Sequence, residues 1–146
     1  VAPSRGLGDV YKRQAMNDFG DSIRFGASTA AEDEIDLTKV SCDMNLYEIY
    51  LRGFLKGCNG KLTSKEMELL PFGAKVMTFE CGMRFLTDYL EGDHYFKIHR
   101  ENHNLDRCRT QFKLVEDMEN KWEIMQKITE KYRRMYKQEK SDYFGY

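Results

Sequence analysis

The stretch TSKEMELLPFGAKVMTFECGMRFLTDYLEG, residues 63–92, sets the fold class of this chain. Thr63 and Glu66 have capping-box spacing, in which a hydroxyl and a carboxylate each accept a hydrogen bond from the other's backbone N–H where a helix begins. Pro71 suits the first turn of a helix better than its interior. The stretch therefore predicts a long helix that restarts at Pro71 and stops at Gly92.

Helical patterns also lie on both sides of this stretch. Before it, Asp43 is placed to cap a helix that ends near Asn59 and Gly60. After it, apolar residues at steps of three and four predict one last helix from about Leu105 to Gln138. The predicted apolar face of the earlier helix is Leu46, Ile49, Tyr50, Gly53, Phe54 and Gly57. The predicted stripe of the last helix is Leu105, Cys108, Phe112, Val115, Met118, Trp122, Met125 and Ile128.

Composition supports a mainly α fold and argues against several classes of function. The 146 residues suffice for one domain with a core, and only 2 prolines and 11 glycines favour long helices over a many-turned β-sandwich. The 23 basic residues nearly cancel the 24 acidic ones, so we expect no nucleic-acid partner and no anionic membrane partner. No apolar run approaches the roughly 20 residues of a membrane span.

Cysteine usage and the first residues bear on the compartment. The first residues lack the charged-then-apolar layout of a signal peptide. The cysteines are widely spread with no C-x-x-C pair, which indicates reduced thiols and a cytoplasmic protein. These cysteines are Cys42, Cys58, Cys81 and Cys108.

The opening residues 1–14, VAPSRGLGDVYKRQ, do not match the rest of the chain. They have no periodic apolar face, and part of them resembles an adapter-derived leader found at the ends of some gene predictions. We expect this segment to be non-native and disordered, the alternative being a flexible native arm. A helical subdomain then spans residues 15–146, with a short first helix from Asp18 to about Ala31 and an acidic surface turn at residues 32–36.

The letters D-F-G at residues 18–20 match the kinase triplet whose aspartate holds Mg²⁺. A kinase also needs an upstream H-x-D-x-x-x-x-N loop, a glycine-rich loop and a lysine. The residues before Asp18 contain no histidine, and no apolar strand there would fix a metal-binding carboxylate. We therefore interpret Asp18 as a helix N-cap or loop-tying carboxylate, with Asp21 and Arg24 as partners on the same helix.

Three stretches of the chain resemble one family of enzymes. They are NDFGDSIRFGASTAAEDE, ELLPFGAKVMTFECGMRFLTDYLEGDHYF and ENHNLDRCRTQFKLVEDME, and together they span most of residues 16–128. The resemblance is to the C-terminal part of the N-acetylhexosamine 1-kinases, a group of the aminoglycoside phosphotransferase family with the protein-kinase-like α+β fold. It implies that the chain is the helical portion of the C-lobe of such an enzyme.

The resemblance also implies a function, and it implies that the catalytic residues and the acceptor-binding residues lie in different parts of the enzyme. It implies a fragment of an ATP-dependent kinase that phosphorylates the anomeric hydroxyl of an N-acetylhexosamine or similar sugar. In that family the catalytic-loop aspartate and the metal aspartate lie upstream of the D-F-G-D-S-I-R stretch. The chain is thus expected to contain no catalytic residue, to require the missing N-terminal part for ATP and Mg²⁺, and to be inactive alone.

The resemblance places Arg84 and Tyr95 against the acceptor sugar, with Phe25 as a further pocket-lining candidate. An arginine fork donates hydrogen bonds to sugar hydroxyls or an N-acetyl carbonyl, and a tyrosine offers an apolar face and a phenolic hydroxyl. Ordinary structural roles stand beside these. Arg84 could pair with Glu80 and Asp88 in a surface ladder, and Tyr95 could be a core or rim aromatic.

Two further hypotheses complete the picture. His99, His103 and Cys108 suggest a zinc site, but a closed structural site needs four ligands and the stretch is rich in positive charge, so we predict no metal. The alternative to an enzyme fragment is a stand-alone helical interaction module without catalysis.

Overall fold

The computed structural model describes the backbone of residues 7–143 and the side chains of residues 13–137. Within that part the chain is mainly helical and has no strand, only one antiparallel bridge between Ser28 and Cys42. None of the helices it describes has the length and apolar character that crossing a bilayer requires. The helices are α1 Leu7–Gly26, α2 Met44–Cys58, α3 Ser64–Glu68, α4 Leu70–Glu91, α5 His103–Asn120 and α6 Trp122–Tyr143, with a short 3-10 helix at Leu37–Lys39.

Local signals place most helix ends where the sequence predicts them. The Asp43 side chain accepts a backbone hydrogen bond in the first turn of α2, which ends at Asn59 in the left-handed conformation with φ 49°. Thr63 and Glu66 form both hydrogen bonds of a capping box at α3. Gly92 ends α4 with φ 102°, a conformation that favours glycine. The predicted caps and stops are thus confirmed.

Helix α4 is the centre of the fold, packed between α1 and α5. Glycines allow both contacts to be close. A Cβ atom at Gly20 of α1 would lie 2.7 Å from the Cβ of Met77 on α4. A Cβ atom at Gly82 of α4 would lie 2.7 Å from the ring of Phe112 on α5. Any larger residue at either glycine would push the helices apart.

The main core lies where α1, α2, α5 and α6 meet the start of α4. The ring of Phe19 packs edge-on at 6.1 Å from Tyr47. The hydroxyl of Tyr47 lies 2.7 Å from that of Thr129, so this buried polar group is hydrogen-bonded, while burial raises the pKa of the tyrosine. The largest fully buried apolar side chains are Phe19, Ile23, Tyr47, Leu51, Leu70, Leu114, Met118 and Met125.

The first helix is longer at its start than the sequence predicts. It begins at Leu7, so residues 7–14 are helical instead of disordered, whereas residues 1–6 lie outside the described residues. No proline interrupts this segment, and helix formation is cooperative, so the helix continues back from Phe19. Asp18 is consequently an exposed residue inside α1 that accepts a hydrogen bond from Gln14 at 3.1 Å. Its interpretation as an N-cap is wrong, and the non-native origin of the leader stays a prediction.

The same helix ends earlier than predicted. It stops at Gly26 instead of near Ala31. The backbone N–H of Thr29 donates to the carbonyl of Ser41 at 2.9 Å, so the chain leaves the helix to pair with the segment before α2. This pairing connects Thr29 with Ser41, twelve residues further along the chain, so no local sequence pattern predicts it.

The predicted apolar face of α2 is rotated from the observed one. Ile49 is 58% exposed and Tyr50 is 40% exposed, while Leu51 and Leu55 are buried. Apolar residues occupy almost every side of this helix, so spacing alone does not select one face. The position of Tyr47 against Thr129 of α6 fixes the rotation.

The predicted last helix is two helices, divided at Lys121. The ammonium of Lys121 donates to Asp117 at 2.7 Å and to the backbone carbonyl of Cys42 at 2.8 Å, and Asp117 accepts from the Cys42 N–H at 2.7 Å. This clamp holds the end of α5 against the start of α2. Trp122 therefore lies half-buried at the first turn of α6, 5.3 Å from the Lys75 ammonium on α4.

The rotation of α2 gives a stability prediction. Leu51→Ala removes a fully buried side chain, so we expect it to lower the free energy of unfolding by about 2–5 kcal/mol. Ile49→Ala, two residues away but mostly exposed, should change it by less than about 0.5 kcal/mol. Urea unfolding followed by circular dichroism checks both, and equal losses would contradict the observed face.

Candidate functional site

A polar cleft of about 500 Å³ lies between α1, α4, the loop before α5 and α5 itself. It brings together side chains that are distant in sequence. Two of the three residues proposed for sugar binding, Phe25 and Arg84, line it. The proposed structural residues Asp21 and Arg24 line it as well.

Phe25 and Arg84 are both available to a ligand. Phe25 is 62% exposed, although it lies on α1 beside the buried Ile23 and Ala27. Arg84 is exposed and makes no ion pair with any side chain that the structure describes. An exposed ring and an unpaired guanidinium on facing helices can contact the same small molecule.

Tyr95 does not line this cleft. Its side chain is 75% exposed and its ring packs edge-on against Phe96, at 4.8 Å between ring centroids. Phe96 lines the cleft, and its ring also contacts Phe85 at 4.7 Å. The structure therefore places Phe96 on the wall and Tyr95 at the rim beside it.

Arg24 is the buried centre of the cleft's electrostatics. Its side chain is only 9% exposed, and its guanidinium lies 2.5 Å from Glu32 and 3.4 Å from Asp21. It also reaches the side-chain oxygen of Gln111 at 3.5 Å and covers the Phe25 ring at 4.1 Å. A buried guanidinium requires such carboxylate partners, since desolvation of an unpaired charge is costly. Arg24 thus joins α1, the acidic turn and α5.

The acidic turn that contains Glu32 is fixed to α5. The backbone N–H of His99 donates to Nδ1 of His103 at 3.1 Å, so the hydrogen is on Nε2, which donates to Asp33 at 2.8 Å. This hydrogen bond lowers the pKa of Asp33. The Thr110 hydroxyl donates to the carbonyl of Glu34 at 3.1 Å. The turn is a structural wall of the cleft and not only a surface segment.

The residues considered for zinc have structural surroundings. His103 is buried and bound to Asp33, and burial raises the pKa of the Cys108 thiol. Across residues 13–137, no three histidine, cysteine or acidic side chains gather in a way that could hold a metal ion.

Asp88 holds the loop that forms one side of the cleft. It is 5% exposed and accepts hydrogen bonds from the backbone N–H of Tyr95 at 2.8 Å and of Phe96 at 2.9 Å. The side-chain amide of Asn104 donates to it at 2.7 Å. Burial acts to raise the pKa of Asp88, but these hydrogen bonds outweigh it and the pKa is lowered. The alternative in which Arg84 pairs with Glu80 and Asp88 in a surface ladder is therefore not formed at Asp88, because its carboxylate points to the loop.

Sequence reasoning missed several cleft residues. The sequence predicts an exposed surface turn at Glu32, yet this carboxylate pairs with Arg24. A signal for this was present, because Arg24 lies one residue after the buried Ile23 and must find carboxylates nearby. Nothing in the local spacing indicates the others, which are Met77, Glu80, Cys81, Phe85, Phe96, Lys97, His99 and Arg107.

The cleft has the chemistry of a binding surface. Burial raises the pKa of Cys81, so its thiol is protonated at neutral pH and is a poor nucleophile. Lys97 and Glu80 are exposed and form no ion pair with another described side chain. With Arg84 they offer both hydrogen-bond donors and acceptors around the apolar ring of Phe25.

No protein-family model matches this chain.

The contacts of Asp88 predict a pH dependence of stability. Its pKa is lowered in the folded state, so its contribution is complete above the ordinary value of 3.8 and is lost as the pH falls through the folded-state pKa. We expect Asp88→Asn to be less stable than wild type at pH 7 and to lose less additional stability on acidification below about pH 4. Urea unfolding between pH 7 and pH 2.5 measures the free energy of unfolding of both proteins and how steeply it falls with pH.

A matched control is Asp18→Asn, which removes an exposed carboxylate far from this loop. It should unfold like wild type at pH 7 and retain the wild-type acid slope. Parallel slopes for Asp88→Asn and wild type would contradict the role assigned to Asp88.

Proposed function

We propose that this chain is the acceptor-binding helical part of an ATP-dependent phosphotransferase with a protein-kinase-like fold. The proposed enzyme phosphorylates the anomeric hydroxyl of an N-acetylhexosamine. The observation that carries the proposal is the cleft itself. Arg84, which the resemblance places against the sugar, and Phe25, the further pocket-lining candidate, come from different helices and line one cavity.

The side chains of the cleft suit a sugar. Arg84 and Lys97 supply hydrogen-bond donors, and Glu80 supplies an acceptor, for hydroxyl groups and for an N-acetyl carbonyl. The exposed ring of Phe25 offers an apolar surface to the C–H face of a pyranose. A few polar groups around an aromatic wall are typical of small-molecule sites.

Tyr95 has a smaller part in this proposal than the resemblance alone gives it. Phe96 lies on the wall, so it is the aromatic residue of this loop that contacts the sugar ring. Tyr95 lies beside Phe96, mostly exposed and outside the lining of the cleft. Asp88 positions both through their backbone N–H groups.

The rest of the reaction belongs to a preceding part of the proposed enzyme. That part supplies the catalytic aspartate, the metal aspartate, ATP and Mg²⁺, which together perform most of the positioning and charge neutralisation in phosphoryl transfer. The present residues bind and orient the acceptor. The proposed enzyme acts in cytoplasmic carbohydrate metabolism, without nucleic-acid or membrane partners.

A helical interaction module without catalysis is the second candidate. The observation that favours it is the outer side of α4, where Phe72 is 54% exposed and Phe79 is 50% exposed. Apolar surface of this kind marks a contact with another protein segment. The two candidates differ in whether the cleft binds sugar.

Sugar binding to the chain tests the proposal. We expect N-acetylglucosamine or N-acetylgalactosamine to perturb NMR signals of the cleft residues. Arg84→Ala should weaken this binding by about 10-fold or more, because a hydrogen bond to a charged group contributes about 1.5–3 kcal/mol. Arg109→Ala is the control, since Arg109 is an exposed arginine of α5 that does not line the cleft.

Kinetics of the complete enzyme provide the second measurement. Arg84→Ala should lower kcat/KM for the sugar by the same factor and leave the KM for ATP unchanged. The 146-residue chain alone, with ATP and Mg²⁺, should transfer no phosphate to either sugar. Absence of sugar binding to the folded chain, or equal effects of Arg84→Ala and Arg109→Ala, would contradict the proposal.

A further inference from the structure

A continuous row of apolar side chains remains at the surface along α4. Four of them, Phe72, Val76, Phe79 and Met83, are between 42% and 54% exposed, and Leu90 is 73% exposed. Single exposed apolar residues are ordinary, but a contiguous row marks an interaction site. We call this row the α4 seam, and it consists of Phe72, Val76, Phe79, Met83, Leu86 and Leu90.

The spacing of the α4 seam is that of a coiled coil. Its members follow one another at steps of four, three, four, three and four residues. Alternation of three and four is the a/d pattern of heptads, in which a straight apolar edge faces a second helix. From its first to its last residue the seam is about 27 Å long, at 1.5 Å per residue.

The α4 seam is separate from the side of α4 that builds the core. Leu70, Ala74 and Thr78 are fully buried on that other side. Phe79 extends the seam sideways, because its ring stacks on Phe112 of α5 at 5.6 Å. One apolar side of α4 is therefore buried in the core, and the other, the α4 seam, is exposed to solvent.

We infer that the α4 seam pairs with the same seam of a second copy of this chain, the two helices running parallel about a two-fold axis. The flanking charges support this occupant. Lys75 directly precedes the seam residue Val76, and Glu80 directly follows the seam residue Phe79. In a parallel pair these are a g position and the e position five residues later, which meet across the interface. Two-fold symmetry then forms the Lys75–Glu80 pair twice.

The existing contacts of these charges leave room for the pairing. Glu80 has no ion pair with another side chain in the described part of the chain. Lys75 lies 3.0 Å from Glu119 of α5 and 5.3 Å from the Trp122 ring, and Glu119 is itself 54% exposed, so in the dimer Lys75 would exchange its contact with Glu119 for one with Glu80. Arg84 is outside the seam and keeps its place in the cleft. Glu80 lines the cleft as well as flanking the seam, so sugar binding is compared only between wild type and Val76→Glu, which leaves the cleft residues unchanged.

Sedimentation velocity over a range of concentrations tests the inference. The wild-type chain should form a reversible dimer. Val76→Glu puts a charge in the seam and should weaken dimerisation by at least about 10-fold. Ile49→Glu is the control, since Ile49 is 58% exposed on α2 and outside the seam, and it should dimerise like wild type. Circular dichroism verifies that each variant is folded.

Charge reversal tests the parallel orientation. Lys75→Glu and Glu80→Lys should each weaken the dimer several-fold, and the double variant should restore it. In a Cys81→Ser background, Met83→Cys should form a disulfide with its own copy, because equivalent a positions meet only in a parallel pair. Sugar binding should be the same in wild type and Val76→Glu.

Three outcomes would overturn the inference. The first is a wild-type chain that is monomeric at every concentration. The second is equal loss of dimer in Val76→Glu and Ile49→Glu. The third is a double charge reversal that remains as weak as the single variants.

Discussion

The close packing of α4 against α1 on one side and α5 on the other is the constraint on which the rest of the structure depends. Gly20 and Gly82 permit it, because a side chain at either position would collide with Met77 or Phe112. This packing puts the end of α1 beside the middle of α4 and so forms the cleft. It also turns the remaining side of α4 outward, where the α4 seam lies. One steric condition thus accounts for both surfaces of interest.

Buried charges hold the walls of the cleft in place. Arg24 is satisfied by Glu32 and Asp21, and Asp88 is satisfied by two backbone N–H groups and Asn104. Removing one partner of such a group is expensive, because the other remains desolvated. Each of these charges connects segments that hydrophobic packing alone would leave free to shift. These buried contacts tie the walls of the cleft together, while the exposed Glu80, Arg84 and Lys97 remain available to a ligand.

The parts of the fold that could be predicted are those encoded within a few residues. The caps at Asp43 and Thr63 and the stop at Gly92 depend on neighbours in sequence, and they are confirmed. The rotation of α2 and the break at Lys121 depend on contacts with residues far along the chain, so periodicity does not reveal them. The same holds for the candidate site. The resemblance identifies residues by their position in the sequence and carries no information on the contacts between distant segments. The acidic turn and the loop wall come together only in three dimensions.

Helix α4 has 22 residues and only five charged side chains. Asp88 is buried against the loop, Glu80 and Arg84 line the cleft, and Lys75 flanks the seam, so only Glu91 at the last turn has no assigned contact. A surface helix of a globular protein ordinarily keeps one charged side in water. This helix has three sides of other kinds, facing the core, the cleft and the seam. The sugar and the second copy that we propose would cover the cleft side and the seam side of α4, which the fold itself leaves exposed.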